Sequence, residues 1–205
     1  DLLFASWPYK VLPGEQKKVF DVIREEDSDF YDALADAGFQ TDFGDDDSGM
    51  FLKYLRRGSG YYINVGASEL VIGGQVPVHS GTTIKEVTED AVTLDDGTVL
   101  PADVIILATG YGSMNGWVER IISKEAADTV GKVWGLGSDT TKDPGPWEGE
   151  LRNMWKPTQI PNLWFHGGNL HQSRHYSRYM SLQLKARYEG MDTPVYELAE
   201  VHHTA

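Results

Sequence analysis

Apolar positions in the first part of the chain recur with the spacing of α-helices. They are Val19, Phe20, Ile23, Phe30 and Leu34. This period places apolar side chains on one helical face, so it predicts helices within residues 13–38, with Gly38 ending the second one. Shorter amphipathic runs predict helices over residues 49–55 and 66–72, and the aromatic and β-branched residues within 61–65 predict a strand.

The middle of the chain has the alternating pattern of short strands. Residues 82–87, 91–94 and 98–100 are strand candidates, and Asp96-Gly97 separates the last two. Glycine tolerates the positive φ of a tight turn, so Asp-Gly between alternating runs predicts a β-hairpin. The continuous apolar run at 104–108 predicts another kind of strand, buried on both faces as in a parallel sheet covered by helices.

The last part of the chain predicts two further helices around a long loop. Residues 115–129 are a helix candidate, and residues 131–161 predict an ordered loop whose tryptophans pack on a larger body. A second short buried strand is predicted at 163–166, followed by a helix over 173–189 capped by Ser173. Together these patterns predict an α/β fold with a β-hairpin or meander, buried strands and a C-terminal helix.

Composition narrows the classes of partner. The chain has 205 residues, with 31 acidic against 18 basic side chains and a net charge of −13. A surface of this sign repels nucleic acid and anionic lipid headgroups. No apolar run approaches the roughly 18 residues that cross a bilayer.

The absence of cysteine excludes disulfides and thiolate chemistry, and it favours a cytoplasmic location. The first residues are typical of a chain cut in mid-sequence.

The segment after the apolar run carries a glycine turn. Gly110, Gly112 and Gly116 follow the predicted strand at 104–108 and precede a predicted helix. The spacing is that of a loosened dinucleotide fingerprint, and it is equally that of a plain tight turn. The acid-ended second strand expected about 20 residues later is absent, and the chain has no G-x-G-x-x-G. A complete Rossmann unit is therefore not predicted.

The hairpin, the strand after Asp103, and Ala108-Thr109-Gly110-Tyr111 together resemble the "ATGY" segment of class B flavoprotein monooxygenases, which include flavin-containing monooxygenases and YUCCA-type enzymes. The segment 167–175, Gly-Gly-Asn-Leu-His-Gln-Ser-Arg-His, resembles the family's last strand and last helix. The whole chain is similar to the C-terminal third of long bacterial NAD(P)/FAD-dependent oxidoreductases. It lacks the FAD fingerprint, the NADPH fingerprint and the F-x-G-x-x-x-H-type motif between them.

The resemblance implies an incomplete piece of a protein with two dinucleotide-binding domains. Residues 1–75 would be the helical tail of the NADPH-domain region, and residues 76–205 the C-terminal part of the FAD-domain region. The implied flavin-side contacts are Thr109, Gly110, Tyr111, Gly168, Asn169, Gln172, Ser173 and Arg174. Gly168 would let the backbone approach the ring, and Gln172 or Arg174 would donate to a ring oxygen or a phosphate.

The implied activity belongs to the full-length protein. It would reduce FAD with NADPH, react the reduced flavin with O₂ and pass one oxygen atom to a small-molecule substrate. No side chain of this chain would be catalytic, and the chain alone would be inactive. Its main partner would be the missing N-terminal FAD/NADPH-binding region, and homo-oligomers are conceivable. Two alternatives stay open: a flavoprotein reductase with no oxygenase step, and a non-enzymatic α/β module that only packs or oligomerises.

Histidine and tryptophan are the remaining residue types that could form a site. His171 and His175 are four positions apart, but no third ligand accompanies them, so no metal site is predicted; the pair 202–203 is assigned to a terminal tail. The tryptophans are predicted to pack in the core more often than to line a substrate channel. If a neighbouring domain is missing, Phe4, Trp7 and Trp164 are candidates for exposed apolar surface.

Overall fold

The computed structural model describes residues 2–58, 62–136 and 151–194. The helices are α1 (Leu2–Ala5), α2 (Leu12–Glu26), α3 (Ser28–Asp36), α4 (Gly49–Arg57), α5 (Ala67–Ile72), α6 (Asn115–Ile121), α7 (Lys124–Val130) and α8 (Leu170–Tyr188), with a 3-10 turn at Tyr9–Val11. The strands are β1 (Ile84–Val87), β2 (Ala91–Leu94) and β3 (Val99–Pro101). The chain divides into two compact units. Unit 1 comprises Asp1–Phe20, Phe43–Gly60 and Tyr111–Ala205, and unit 2 comprises Asp21–Asp42 and Tyr61–Gly110.

Unit 1 is built around one apolar core. Its most deeply buried side chains are Leu12, Leu52, Leu55, Val130 and Leu136. Aromatic rings extend this core, since Trp155 stacks on Tyr176 with ring centroids 4.6 Å apart. The ring of Tyr9 also packs near that of Tyr176, with centroids 5.9 Å apart. Burial raises the pKa of the Tyr9 hydroxyl well above its usual range, so this phenol stays neutral inside the core.

The helices predicted in the first part of the chain are confirmed. α2 and α3 occupy the predicted region, and Gly38 follows them with a φ of 87°. α4 runs two residues further than predicted and ends at Gly58, whose φ of 66° is left-handed. This conformation is the one that glycine adopts most readily after a helix.

The helix predicted at 115–129 is interrupted. α6 ends at Ile121, and the hydroxyl of Ser123 then accepts a hydrogen bond from the N–H of Ala126 at 3.1 Å. Serine at this position satisfies one of the free N–H groups at a helix start. It therefore begins a second helix, α7, instead of extending the first.

The predicted hairpin is confirmed in unit 2. β1, β2 and β3 form an antiparallel sheet in sequence order. At the turn between β2 and β3, the N–H of Gly97 donates to the carbonyl of Leu94 at 3.1 Å, and Gly97 has a φ of 89°. The carboxylate of Asp96 accepts from the N–H of Thr98 at 2.8 Å, which closes the turn.

The other predicted strands, of which two were expected to be buried, are wrong among the described residues. Residues 104–108 form no strand, and Val104 and Ile106 are 76% and 85% exposed. Residues 62–65 are also irregular, and within 163–166 only Phe165 makes a bridge, parallel to Met154. The physical reason is that an apolar run becomes a buried strand only beside another strand edge, and the described sheet contains β1, β2 and β3 alone.

The observed class is thus a mixture of helices with a small three-stranded antiparallel sheet, which is compatible with α/β. Among the helices of the described ranges, none combines the length and apolar character needed to cross a bilayer.

Candidate functional site

Unit 1 contains a cavity of about 930 Å³. This volume lies in the range of roughly 300–1,000 Å³ that is typical of ligand pockets. Its described lining comes from the end of α4, the segment 111–120, the segment 132–134, Arg152, and the turn before α8. The lining includes Tyr54, Arg56, Arg57, Tyr111, Gly112, Gly116, Trp117, Arg120, Lys132, Trp134, Arg152, Gly168 and Asn169.

The end of α4 forms one wall, and an indole covers it. Trp134 Nε1 donates to the backbone carbonyl of Tyr54 at 2.9 Å, and the two rings lie with centroids 5.1 Å apart. A Cβ at Gly58 would lie 2.8 Å from Trp134 Cδ1. Glycine at the end of α4 therefore permits both the left-handed turn and the close approach of the indole.

The glycine turn before α8 forms a second wall. Gly168 has a φ of 82°, and a Cβ there would lie 3.2 Å from Trp134 and from Gln172 Oε1. Asn169 caps α8, because its Oδ1 accepts from the N–H of Gln172 at 3.1 Å. The predicted Ser173 cap is wrong. Asn169 lies at the end of the left-handed turn, whereas Ser173 is already in the first turns of α8, where its hydroxyl donates to the carbonyl of Gly167 at 2.8 Å.

The charge of the lining is one-sided. Its cations are Arg56, Arg57, Arg120, Lys132 and Arg152, and no described lining residue is acidic. This is unexpected in a chain with a net charge of −13. A cleft lined by one sign of charge raises the local concentration of ligands of the opposite sign. The cavity is therefore suited to an anion.

Two of these arginines already face carboxylates. Arg56 is nearly buried and makes a bidentate pair with Asp46, at 2.8 and 2.6 Å. These hydrogen bonds hold the pKa of the Asp46 carboxyl well below its usual range. Arg57 lies 3.8 Å from Asp45 in a more exposed pair. Arg120 and Lys132 make no salt bridge within the part of the chain that the structure describes, and both are exposed.

The predicted flavin-side residues divide into three groups. Tyr111, Gly168 and Asn169 line the cavity. Thr109 and Gly110 belong to unit 2 and are exposed. The remaining three, Gln172, Ser173 and Arg174, lie on α8 without lining the cavity.

Gln172 and Arg174 differ in their surroundings. Gln172 is 1% exposed. Its Oε1 accepts from the Tyr54 hydroxyl at 3.1 Å, and its Nε2 donates to the Tyr9 hydroxyl at 3.3 Å. Its amide is thus used within the protein, whereas the side chain of Arg174 is exposed.

Sequence reasoning missed several lining residues, and for different reasons. Tyr54, Trp134 and Arg152 lie in no recognisable motif. Arg120 and Lys132 carried only a weak signal, namely that they are basic residues near the end of helices in an acidic chain.

Ser173 and His166 are close enough to suggest a nucleophile and its base, but the hydrogen bonds argue against this. Nδ1 of His166 accepts from the indole N–H of Trp155 at 3.1 Å. Nδ1 is then unprotonated, and Nε2 of the neutral ring carries the proton. Nε2 lies 3.3 Å from the Ser173 hydroxyl, and it therefore donates to that oxygen and cannot take its proton.

The two histidines of α8 have apolar surroundings. The ring of His171 stacks on Phe51 with centroids 6.3 Å apart, and the rings of His175 and Tyr176 form a T-shaped pair with centroids 4.8 Å apart. Burial lowers the pKa of both imidazoles. Among the described residues, no group of three His, Asp or Glu side chains is arranged to hold a metal ion. Residues 202–203 lie outside the described ranges.

The tryptophans have no common role. Trp155 is buried in the core as predicted, whereas Trp117 is 64% exposed at the cavity. Trp7 is partly exposed. Trp164 is half-buried beneath the Arg187 guanidinium, which lies 5.2 Å from the ring centroid. Trp147 and the side chain of Phe4 lie outside what the structure describes.

A scan of the chain against protein-family models finds no match, and a search among curated proteins also finds none.

Proposed function

We propose that the chain is the C-terminal part of an FAD- and NADPH-dependent monooxygenase-like oxidoreductase, to which it contributes flavin-side contacts. The observation that carries the proposal is the turn at Gly168 and Asn169. It lies at the N-terminus of the 19-residue α8 and opens on a cationic, aromatic cavity. Tyr111, from the "ATGY" segment, lines the same cavity.

The lining residues fit a flavin dinucleotide in chemical type. The planar isoalloxazine needs apolar and aromatic surfaces, which Tyr54 and Trp134 offer beside the Gly168 turn. The pyrophosphate needs cations, which Arg57 and Arg152 offer. The absence of a side chain at Gly168 brings the backbone to the cavity surface.

The residues of this chain would bind and orient the cofactor. The positive end of α8 would stabilise negative charge on a bound reduced flavin, typically by about 0.3–1 kcal/mol. A bound FAD would accept electrons from NADPH and, with O₂ as the co-substrate, would supply one oxygen atom to a soft nucleophile or carbonyl of a small-molecule substrate, while the other oxygen atom would leave as water. No side chain of this chain is assigned a catalytic role.

Exposed apolar residues of unit 2 support the proposal that a further protein region packs against this chain. Val104, Ile106 and Leu107 form a contiguous exposed apolar run, and all four residues of β1 are exposed as well. Contiguous apolar surface of this kind marks an interaction site. We propose that the N-terminal FAD/NADPH-binding region of a two-dinucleotide-domain fold covers it, and that the assembled enzyme works in the cytoplasm, in agreement with a cysteine-free chain.

Two other functions remain as alternatives. A flavoprotein reductase would use the same cavity without an oxygenase step, and the two differ in whether the complete protein couples NADPH oxidation to substrate oxygenation. A module that only packs or oligomerises is favoured by the exposed run at 104–107. Self-association of the chain without flavin binding would support that module.

The proposal is tested by titrating FAD into the 205-residue chain and following the quenching of flavin fluorescence. We expect saturable binding that Gly168→Ala weakens roughly tenfold or more, because the new methyl group displaces the turn. Gly190→Ala, at the opposite end of α8, is the matched control and should bind as the unchanged chain does. Absence of binding, or equal loss in both variants, contradicts flavin-side contacts.

A further inference from the structure

We propose that Trp117, Arg120 and Lys132 form a subsite for a planar aromatic ring that carries a carboxylate or a phosphate. The subsite lies in the cavity of unit 1. Its place in an oxygenation reaction rests on the function proposed above, where it would define the substrate class as aromatic anions. The binding itself requires no flavin.

α6 presents an aromatic ring and a cation on one face. Trp117 and Arg120 are three residues apart, which places them side by side on a helix, and both line the cavity. Val118 is 5% exposed and packs in the core of unit 1. The buried valine fixes α6 on the protein, while the indole and the guanidinium face the ligand space.

Lys132 is held beside the start of α6 by its backbone. The hydroxyl of Ser113 accepts from the N–H of Val133 at 3.0 Å and lies 3.3 Å from the Val133 carbonyl. The amide of Asn153 donates to the carbonyl of Lys132 at 3.0 Å. These bonds fix the backbone on both sides of the lysine, and its exposed side chain lines the same cavity as Arg120.

The two cations are suited to a ligand anion because no carboxylate in the described part of the chain forms a salt bridge with either of them. Arg56 is paired in bidentate fashion with Asp46, whereas Arg120 and Lys132 make no such pair in the described ranges. A guanidinium recognises a planar carboxylate or phosphate through two parallel hydrogen bonds, and an ammonium adds a point charge. Stacking on Trp117 selects a flat ring beside the anion.

The test compares anions with neutral molecules of the same shape. Naphthoate and naphthamide form one pair, and AMP and adenosine form the other. Each is titrated into the full chain by calorimetry, without FAD. We expect at least one anion to bind roughly tenfold or more tightly than its neutral analogue, which corresponds to one charge-assisted contact. Tighter naphthoate indicates an aromatic carboxylate as the ligand, and tighter AMP indicates an aromatic ring that carries a phosphate. Equal binding of anion and neutral analogue in both pairs overturns the subsite.

Matched variants locate the binding. Arg120→Gln and Lys132→Gln should each weaken the preferred anion roughly tenfold and leave its neutral analogue unchanged. Arg178→Gln and Lys10→Gln remove exposed cations outside the cavity lining and should change neither. If the control variants weaken the anion equally, the attraction is non-specific and the proposal is wrong. FAD binding without anion preference refutes the subsite alone, and anion preference without FAD binding refutes the flavin proposal alone.

Discussion

The hydroxyl of Tyr54 on α4 donates a hydrogen bond to Oε1 of Gln172 on α8, at 3.1 Å. The same hydroxyl accepts from the backbone N–H of Asn169 at 2.9 Å. Gln172 in turn donates to the hydroxyl of Tyr9. The Tyr54 hydroxyl therefore connects the glycine turn to α4, and the Gln172 amide connects α8 to the 3-10 turn through hydrogen bonds. This network fixes the wall of the cavity that Gly168 and Asn169 form.

Removal of that hydroxyl should destabilise unit 1. We expect Tyr54→Phe to lower the free energy of unfolding by about 1–2 kcal/mol, because it leaves partly buried polar groups of Asn169 and Gln172 without this partner. Urea unfolding measures the change. Tyr188→Phe is the control, since Tyr188 is 83% exposed and its loss should change the stability by less than about 0.5 kcal/mol.

The close approach at Gly168 predicts a difference between two glycines of similar backbone conformation. Gly168 and Gly190 have φ values of 82° and 70°, so an alanine at either position pays about 1–2 kcal/mol for a left-handed conformation. Only at Gly168 would the new Cβ lie 3.2 Å from Trp134 and Gln172. Gly168→Ala should therefore unfold at lower urea concentration than Gly190→Ala. Equal urea midpoints of the two variants would show that the turn at Gly168 accommodates the methyl group without additional loss of stability.

The two candidate caps of α8 predict an order of stability. Asn169→Ala removes the side-chain oxygen that accepts from Gln172, and it should cost about 1 kcal/mol. Ser173→Ala removes a hydroxyl that donates to the Gly167 carbonyl and makes a longer, exposed contact with His166. Its cost should be smaller, about 0.5 kcal/mol. Thermal unfolding of both variants checks the order. A larger loss of stability in Ser173→Ala than in Asn169→Ala would identify Ser173 as the more important cap of α8.

The burial of His175 predicts a dependence of stability on pH. Burial holds the pKa of this imidazole below its usual value of 6.5, so at mildly acid pH the unfolded chain binds a proton that the folded chain does not. Stability should therefore decrease as the pH falls through 6.5, and the decrease should end below the folded-state pKa. Urea titrations across this range, compared with His175→Phe, measure the effect. An identical acid profile in the variant excludes His175 as the cause.

The elements that were predicted correctly depend on local chemistry. The turn at Asp96 and Gly97 and the helix stop at Gly38 follow from backbone preferences of the residues themselves. The run at 104–108 was mispredicted because its burial depends on a neighbouring strand, about which a local pattern carries no information. At α8, both Asn169 and Ser173 are good cap residues, and the left-handed Gly168 decides in favour of the asparagine that follows it.

The candidate site was predictable only in part. The glycine-containing segments drew attention to Tyr111, Gly168 and Asn169, which do share one cavity. Tyr54 and Trp134 reach that cavity through contacts between segments 80 residues apart, and no spacing rule relates them. No spacing rule relates Arg120 and Lys132 either. Their positively charged side chains come to line one cavity only in the folded chain.

The most direct test of the flavoprotein assignment is the mass of the protein purified from its natural source, together with its visible absorbance spectrum. The account predicts a mass well above that of the 205-residue chain and the absorbance of bound flavin, lost on acid precipitation with release of FAD. A colourless protein of the mass of this chain alone, unchanged when FAD is added, would contradict it.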